Sequence, residues 1–112
     1  MFSIDFYITD SGKCPVRKFL ESLGRRSKAK IGAVLDQLEV EGPQLPMPHA
    51  KPIGNGLWEL RVETEKQQHR VLYFFWTGET IVLLHGFTKK TEAISKKDLE
   101  IARDRMQDWM TQ

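Results

Sequence analysis

The chain has little cysteine and no long apolar run, and each absence excludes a class of protein. Cys14 is the only cysteine among 112 residues, which excludes an internal disulfide and a multi-thiolate zinc site. No apolar stretch approaches the roughly 20 residues that span a bilayer. Residues 1–10 contain neither a basic leader nor an apolar signal segment. We therefore expect one domain, residues 1–112, in the cytoplasm and without membrane contact.

Motifs for several common chemistries are also missing. The chain has no glycine-rich phosphate loop and no Gly-x-Ser-x-Gly elbow, so neither nucleotide hydrolysis nor serine-hydrolase chemistry has support. Three scattered histidines without nearby cysteines or paired carboxylates make a poor ligand set, and we predict no metal and no cofactor. The formal charge of +2 is low for a protein that binds nucleic acid by bulk charge. Such binding would need a local cluster of cations.

Residues 57–90 carry most of the aromatic side chains and organise the rest of the chain. Short polar connections separate three apolar runs, a pattern that predicts an antiparallel meander. The predicted strands cover residues 57–63, 69–76 and 81–87. In the first strand one face is apolar and the other carries Glu59, Arg61 and Glu63.

The flanking segments predict one more strand and three helices. Residues 2–8 alternate as a strand with one buried face. A helix beginning at Pro15 and ending near Gly24 is followed by a second helix, with Ser27 as its expected N-cap. A stop at Gly42-Pro43 ends this second helix.

The rest of the chain predicts a loop and a final helix. The proline-rich segment 42–56 is predicted to be an ordered loop without regular structure, and residues 88–94 a connector. Residues 95–98 resemble a capping box before the last helix. The fold class is therefore α+β, with a small, mainly antiparallel sheet covered by helices.

Several cations are predicted to converge at one end of the meander. Arg61 lies on the charged face of the first strand, Arg70 begins the second, and Lys89 and Lys90 follow the third. Because a meander reverses at each turn, these positions meet at one edge of the sheet. Such a cluster suits a polyanion such as an RNA backbone.

Each candidate also has a plainer interpretation. Arginines on a strand are mostly solvated or paired, and Glu59 and Glu63 flank Arg61 on its own face. His85 has a suitable intrinsic pKa for acid–base chemistry, but it lies in an apolar strand, where histidines are usually structural. Tyr73 and Phe87 could stack on a base or belong to the core.

The ordered segments together resemble a known family. The runs LPMPHAKPIGNGLWELRV, HRVLYFF and IVLLHGFTKKT, followed by an IARDRM helix, are similar to the phage-derived HigB-like branch of the RelE/ParE toxin superfamily. The resemblance implies a RelE-like α+β toxin that enters the ribosomal A site and cleaves messenger RNA. It also implies a cognate helix-turn-helix antitoxin as a partner.

The resemblance assigns roles to particular residues. It places Arg61 on RNA and Arg70 at the reacting phosphate, with Lys89 and Lys90 as phosphate ligands or a general acid. The reaction that it implies needs no metal, because the nucleotide's own 2′-OH attacks the adjacent phosphate. We add Lys51, Tyr73 and Phe87 as candidate RNA contacts.

Two questions stay open at the level of the sequence. The last helix lacks the tyrosine that some toxins of this superfamily carry, so Glu59 and His85 are both candidate bases. The ParE branch shares the fold but poisons DNA gyrase, so a gyrase inhibitor is an alternative. A non-catalytic binding or regulatory module of the same fold is a second alternative.

Overall fold

The computed structural model describes residues 1–90 and 93–112. In chain order the elements are β1 (Ser3–Phe6), α1 (Pro15–Glu21), α2 (Arg25–Glu41), a 3-10 turn (Gly42–Gln44), β2 (Ala50–Gly54), β3 (Leu57–Thr64), β4 (Gln67–Trp76), β5 (Thr80–Lys89) and α3 (Lys96–Met110). No helix in these described segments combines the length and the apolarity that crossing a bilayer requires.

The sheet has five strands in the order β1-β5-β4-β3-β2. The predicted meander is confirmed as β3, β4 and β5, which pair antiparallel in sequence order. The predicted first strand joins the sheet beside β5, and this pair is parallel. The α+β class with a mainly antiparallel sheet is therefore confirmed.

The prediction that segment 42–56 lacks regular structure is wrong. Gly42–Gln44 forms a 3-10 turn, and Ala50–Gly54 forms β2, which pairs with β3. Pro52 is tolerated there because β2 is an edge strand, where half of the main-chain groups need no strand partner. Proline content alone could not reveal that a second edge strand was needed beside β3.

The predicted N-cap of α2 is also wrong. This helix begins at Arg25, with Gly24 as an N-cap that makes no side-chain bond. Ser27 lies inside the helix, where its Oγ is 3.0 Å from Nε2 of His69. Ser27 is buried, so its hydroxyl hydrogen-bonds to the buried imidazole of His69 instead of capping the helix.

The predicted N-cap of α3 at Ser95 is confirmed, and Asp98 bonds to its side chain. Ser95 Oγ accepts a hydrogen bond from the backbone N–H of Asp98 at 3.1 Å and donates one to its carboxylate at 2.7 Å. The connector predicted for 88–94 starts later, because β5 continues to Lys89. It includes residues 91 and 92, which lie outside the described residues.

Two apolar clusters lie on opposite sides of the sheet. The first contains inward side chains of α1 and α2, such as Val16 and Leu38, packed on Leu60 and Tyr73 of the sheet. The second contains Ala102 of α3 with side chains from the other side of the strands. Period-2 alternation along each strand therefore decides which helix a side chain meets.

A β-bulge in β5 shifts this alternation. Leu72 of β4 pairs with His85, whereas the next residue, Tyr73, pairs with Leu83, so Leu84 is the extra residue. Without the bulge, His85 would share a side with Leu83 and face α1 and α2. With it, His85 and Phe87 lie on the α3 side of the sheet.

Gly86, just after the bulge, allows α1 to approach β5. A Cβ atom at this position would overlap the ring of Phe19, whereas a Cβ at Gly78, in the β4–β5 turn, would meet no atom within 4 Å. The contact between α1 and β5 therefore depends on the missing side chain.

We expect Gly86→Ala to lower the free energy of unfolding by about 1–3 kcal/mol, because Phe19 must leave its position in the packed core. Urea unfolding of the purified protein measures this change. Gly78→Ala is the matched control and should change stability far less. Equal stability of the two variants would contradict a close helix–strand contact at Gly86.

Candidate functional site

Polar side chains occupy the part of the sheet's α3 side that lies beyond the apolar cluster under α3. We call this surface the open polar face, and it comprises Lys51 (β2), Glu59, Arg61 and Glu63 (β3), Gln68 and Arg70 (β4), and Phe87 and Lys89 (β5). Strand alternation places these residues on one side of the sheet. The strands thereby bring together side chains from four separate segments of the chain.

The register of the strands arranges this face in rows. Arg61 is the cross-strand partner of Arg70, and Arg70 is the partner of Phe87. The next row joins Gln68 to Lys89. The predicted convergence of Arg61, Arg70 and Lys89 is thus present in the structure, although the three side chains differ in exposure.

Arg70 is fully buried, with 0% of its side chain exposed. Its Nη1 donates to the backbone carbonyl of His69 at 3.0 Å, and its Nη2 donates to Oε1 of Gln68 at 3.1 Å. Burial lowers the pKa of Arg70 and the adjacent Glu59 opposes that shift. The guanidinium stays protonated, because arginine keeps its charge even in protein interiors.

Glu59 lies between the two arginines of the open polar face. One carboxylate oxygen is 3.5 Å from Nε of Arg61 and the other is 3.6 Å from Nε of Arg70. The Glu59 side chain is only 4% exposed, so this carboxylate is a buried counter-ion. Among the described residues, Oε2 of Glu59 and Nε of both arginines lack a hydrogen-bond partner.

The other groups of the face are more accessible. The Arg61 side chain is 25% exposed, and the Glu63 side chain, at 3.9 Å from Nη2 of Arg70, is 59% exposed. Lys51 is exposed and Lys89 is partly exposed. Arg61, Lys51 and Lys89 are therefore the cations of this face that an anion in solution can contact. Arg70 lies buried below the surface and can act on such an anion only through its electric field.

His85 lies next to this face, but its ring is directed at α3. Its Nε2 is 2.7 Å from Oδ1 of Asp98, and its Nδ1 is 3.3 Å from Nη1 of Arg105. Because arginine can only donate, Nδ1 must accept and Nε2 must carry the proton. Burial lowers the pKa of His85, although Asp98 opposes the shift. The ring is a neutral link between β5 and α3, stacked on Phe87.

Two other predicted site residues lie elsewhere. Tyr73 is 0% exposed in the core on the opposite side of the sheet, where it stacks with Trp58, so it cannot reach an RNA base in this structure. Burial raises the pKa of its hydroxyl. Lys90 follows the end of β5 and is exposed.

Sequence reasoning missed three residues that position the site. Gln68 supports Arg70, and Asp98 and Arg105 fix the ring of His85. The seven-residue spacing of Asp98 and Arg105 places both on one face of a helix, a signal that was available in the sequence. In the described ranges, no group of three or more His, Cys, Asp or Glu is arranged to hold a metal ion.

The fold defines a class of small α+β proteins. The structure is consistent with a small RelE-like α+β fold that presents a cationic face on its sheet. A family model described as "Phage derived protein Gp49-like" matches residues 18–107, from α1 through α3. The chain therefore belongs to the phage-derived Gp49-like family. No curated protein matches the chain.

His69 forms a separate buried contact that joins α2 to the sheet. Its Nδ1 is 3.0 Å from Oγ1 of Thr88, and its Nε2 is 3.0 Å from Oγ of Ser27. Burial lowers its pKa, and the neighbouring positive charge of Arg70 lowers it further. His69 is thus a structural residue that folds in its neutral form.

This protonation state makes stability depend on pH. Because the pKa of His69 is lower in the folded protein than its unfolded value of about 6.5, the unfolded chain binds more protons as the pH falls below that value. We expect the free energy of unfolding to be highest above pH 6.5 and to fall as the solution is acidified. His69→Gln should flatten this slope, as measured by urea unfolding across the pH range.

His85, whose pKa is also lowered, should supply part of the same slope. The double variant His69→Gln/His85→Gln should therefore be flatter than either single variant. An unchanged slope in His69→Gln would show that this imidazole is not held neutral by the fold.

The buried pair of Glu59 and Arg70 should contribute more to the free energy of unfolding than an exposed ion pair does. We expect Arg70→Ala to cost about 3–5 kcal/mol of unfolding free energy, because it leaves the Glu59 carboxylate buried beside a vacant site. Glu59→Leu/Arg70→Met should recover most of that loss by replacing the pair with apolar side chains. Chemical denaturation of the three proteins tests both statements.

A surface pair provides the control for this comparison. Arg26 and Glu65 are 3.8 Å apart, with side chains 80% and 82% exposed. Arg26→Ala should change stability by less than about 1 kcal/mol. An Arg70→Ala variant as stable as Arg26→Ala would refute the structural role of the buried pair.

Proposed function

We propose that the protein is the toxin of a type II toxin–antitoxin pair and cleaves messenger RNA in the ribosomal A site. The observation that carries this proposal is the gathering of Lys51, Arg61 and Lys89 beside Phe87 on the open polar face, above the buried Arg70. Membership of the Gp49-like family, which is linked to RelE-like toxins, supports it. The HigB-like branch is part of the proposal.

The accessible cations suit an RNA backbone. Arg61 offers a planar fork to two phosphate oxygens, and Lys51 and Lys89 offer compact charges to its flanks. Lys90 extends the same charge beyond the end of β5. Phe87, partly exposed beside Arg70, provides a ring on which an unpaired base stacks.

Arg70 acts through its neighbours in this proposal. Its fully buried guanidinium contacts Glu59, and Glu59 contacts Arg61. The buried pair therefore fixes the direction from which Arg61 approaches a phosphate. Its positive charge also adds to the potential that an incoming phosphate meets on the face.

The proposed reaction uses the substrate's own nucleophile. The 2′-oxygen loses its proton and bonds to the adjacent phosphorus, and the bond from phosphorus to the 5′-oxygen breaks. The leaving 5′-oxygen gains a proton, so the products are a 2′,3′-cyclic phosphate and a 5′-OH. Arg61 and the lysines stabilise the charge that builds on the phosphate oxygens. DNA lacks the 2′-OH and cannot react in this way.

Of the two candidate bases, the geometry favours Glu59. Its carboxylate lies on the open polar face between the two arginines, with Oε1 3.5 Å from Nε of the partly exposed Arg61. Both ring nitrogens of His85 are engaged with α3. His85 is therefore assigned to positioning α3 rather than to proton transfer.

The partners follow from the proposed reaction. A net charge of +2 is modest for an RNA-binding protein, so the ribosome would supply much of the positioning of the messenger RNA. A helix-turn-helix antitoxin would hold the toxin inactive. The proposed site of action is accordingly the cytoplasm.

Primer extension on a reporter messenger RNA in a cell-free translation reaction tests this function. The wild-type protein should produce cuts at fixed codon positions, and Arg61→Ala should reduce them by about 100-fold, the typical effect of removing one charge-stabilising donor. Arg61 is a better test position than Arg70, because its partly exposed side chain can be truncated without burying an unpaired carboxylate.

Arg26→Ala is the matched control, since it removes the same side chain from an exposed position on α2. It should cut as the wild type does. Undiminished cutting by a folded Arg61→Ala variant would refute the proposed site. Undisturbed translation with the wild-type protein would refute the messenger RNA nuclease, and DNA damage in its place would favour gyrase inhibition.

A further inference from the structure

The outer edge of β1 has free main-chain groups. β1 pairs only with β5, and the N–H groups of Ser3 and Tyr7 donate to the carbonyls of Glu79 and Leu83 at 2.8 and 2.9 Å. In a parallel pair, alternate residues direct both of their main-chain groups to the same neighbour, so those of Ile4 and Phe6 point away from β5. No group among the described residues bonds to them there.

A groove follows this edge between the start of α1 and the end of α3. Its volume is about 740 Å³, and its lining comes from β1 and the residues after it together with both helices: Ile4, Asp5, Phe6, Ile8, Cys14, Arg17, Trp109 and Gln112. Ile8 is 51% exposed there, which is high for a large apolar side chain. An exposed strand edge beside apolar side chains is a surface on which another strand can pair.

A second cavity continues from the groove and is cationic. Its volume is about 560 Å³, and it shares Cys14 and Arg17 with the groove. Four cations line it, namely Lys13, Arg17, Lys18 and Arg105, against the single carboxylate of Glu21. Among the described residues, none of these four cations forms a salt bridge.

We infer that this groove binds an extended segment of a partner protein, which joins the sheet as a sixth strand beside β1 and places acidic side chains in the cationic cavity. The main-chain groups of Ile4 and Phe6 would make up to four hydrogen bonds with that segment. Lys13, Arg17 and Lys18, which form no salt bridge among the described residues, complement its carboxylates. The strand pairing gives affinity, and the charges give specificity and direction.

The free edge favours a polypeptide over a nucleic acid. It presents carbonyl acceptors as well as N–H donors, and a peptide backbone satisfies both, whereas a phosphate oxygen satisfies only the donors. The site contains none of the residues of the open polar face. The inference therefore goes beyond the proposed function and does not depend on it.

Designed fluorescent peptides test the inference on the full-length protein. The probes alternate Thr with Val or Ile and carry two Glu residues at either the amino or the carboxyl end, because both strand directions are possible. One of them should bind and slow amide hydrogen exchange at Ile4 and Phe6. Exchange at Asp5, whose N–H faces β5, should stay unchanged.

Two variants separate the strand contacts from the charges. Ile4→Pro removes an outward N–H at an edge position that tolerates proline, together with a side chain packed on the first apolar cluster, and should weaken binding on the order of tenfold. Lys13→Glu/Lys18→Glu should weaken it by a similar factor. Arg25→Glu/Lys28→Glu, which makes the same charge change at exposed positions of α2, should bind as the wild type does.

Other outcomes would overturn the inference. Binding without protection of Ile4 and Phe6 would exclude strand addition, and equal binding of a probe with two Lys residues would exclude the role of the cavity. Failure of every acidic probe to bind would exclude the site. If Ile4→Pro does not fold, backbone N-methylation of the probe takes its place and must abolish binding. Protection of the same amides by an RNA oligonucleotide alone would assign the surface to nucleic acid.

Discussion

A guanidinium without solvent contact needs fixed acceptors and a counter-ion. Arg70 donates hydrogen bonds to the amide oxygen of Gln68 and the carbonyl of His69, and the carboxylate of Glu59 lies 3.6 Å from its Nε as the counter-ion. These groups come from two adjacent strands, so the requirement also fixes how β3 pairs with β4. A slip of one residue would carry Glu59 to the opposite side of the sheet and leave a buried charge without its counter-ion. The pairing of β3 with β4 therefore sets the relative positions of the side chains on the open polar face.

The placement of α3 divides that side of the sheet into two regions. Ala102 of α3 packs on the apolar region, whereas the charged region beyond it stays open. The boundary is held by His85, which the bulge in β5 turns toward Asp98 and Arg105. The bulge therefore brings His85 onto the α3 side of the sheet, where its two ring nitrogens contact the helix.

Cations in three different environments have different physical roles. Buried Arg70 organises the sheet, and partly exposed Arg61 is available to an anion on the open polar face. Arg17, beside β1, extends over the ring of Phe6 at 5.2 Å and lines a groove at the sheet's edge. The net charge of +2 does not reveal this separation, because it sums the charged residues of the whole chain regardless of where they lie.

The sequence by itself determined the meander, the α+β class, the capped final helix and the gathering of Arg61, Arg70 and Lys89, because alternation and turn chemistry act over a few neighbouring residues. Only the tertiary structure decided that Arg70 is buried and that Tyr73 faces α1 and α2. It also decided that a bulge places His85 on the α3 side of the sheet and that residues 50–54 form an edge strand. Each of these outcomes depends on partners distant in the chain, which local patterns do not encode.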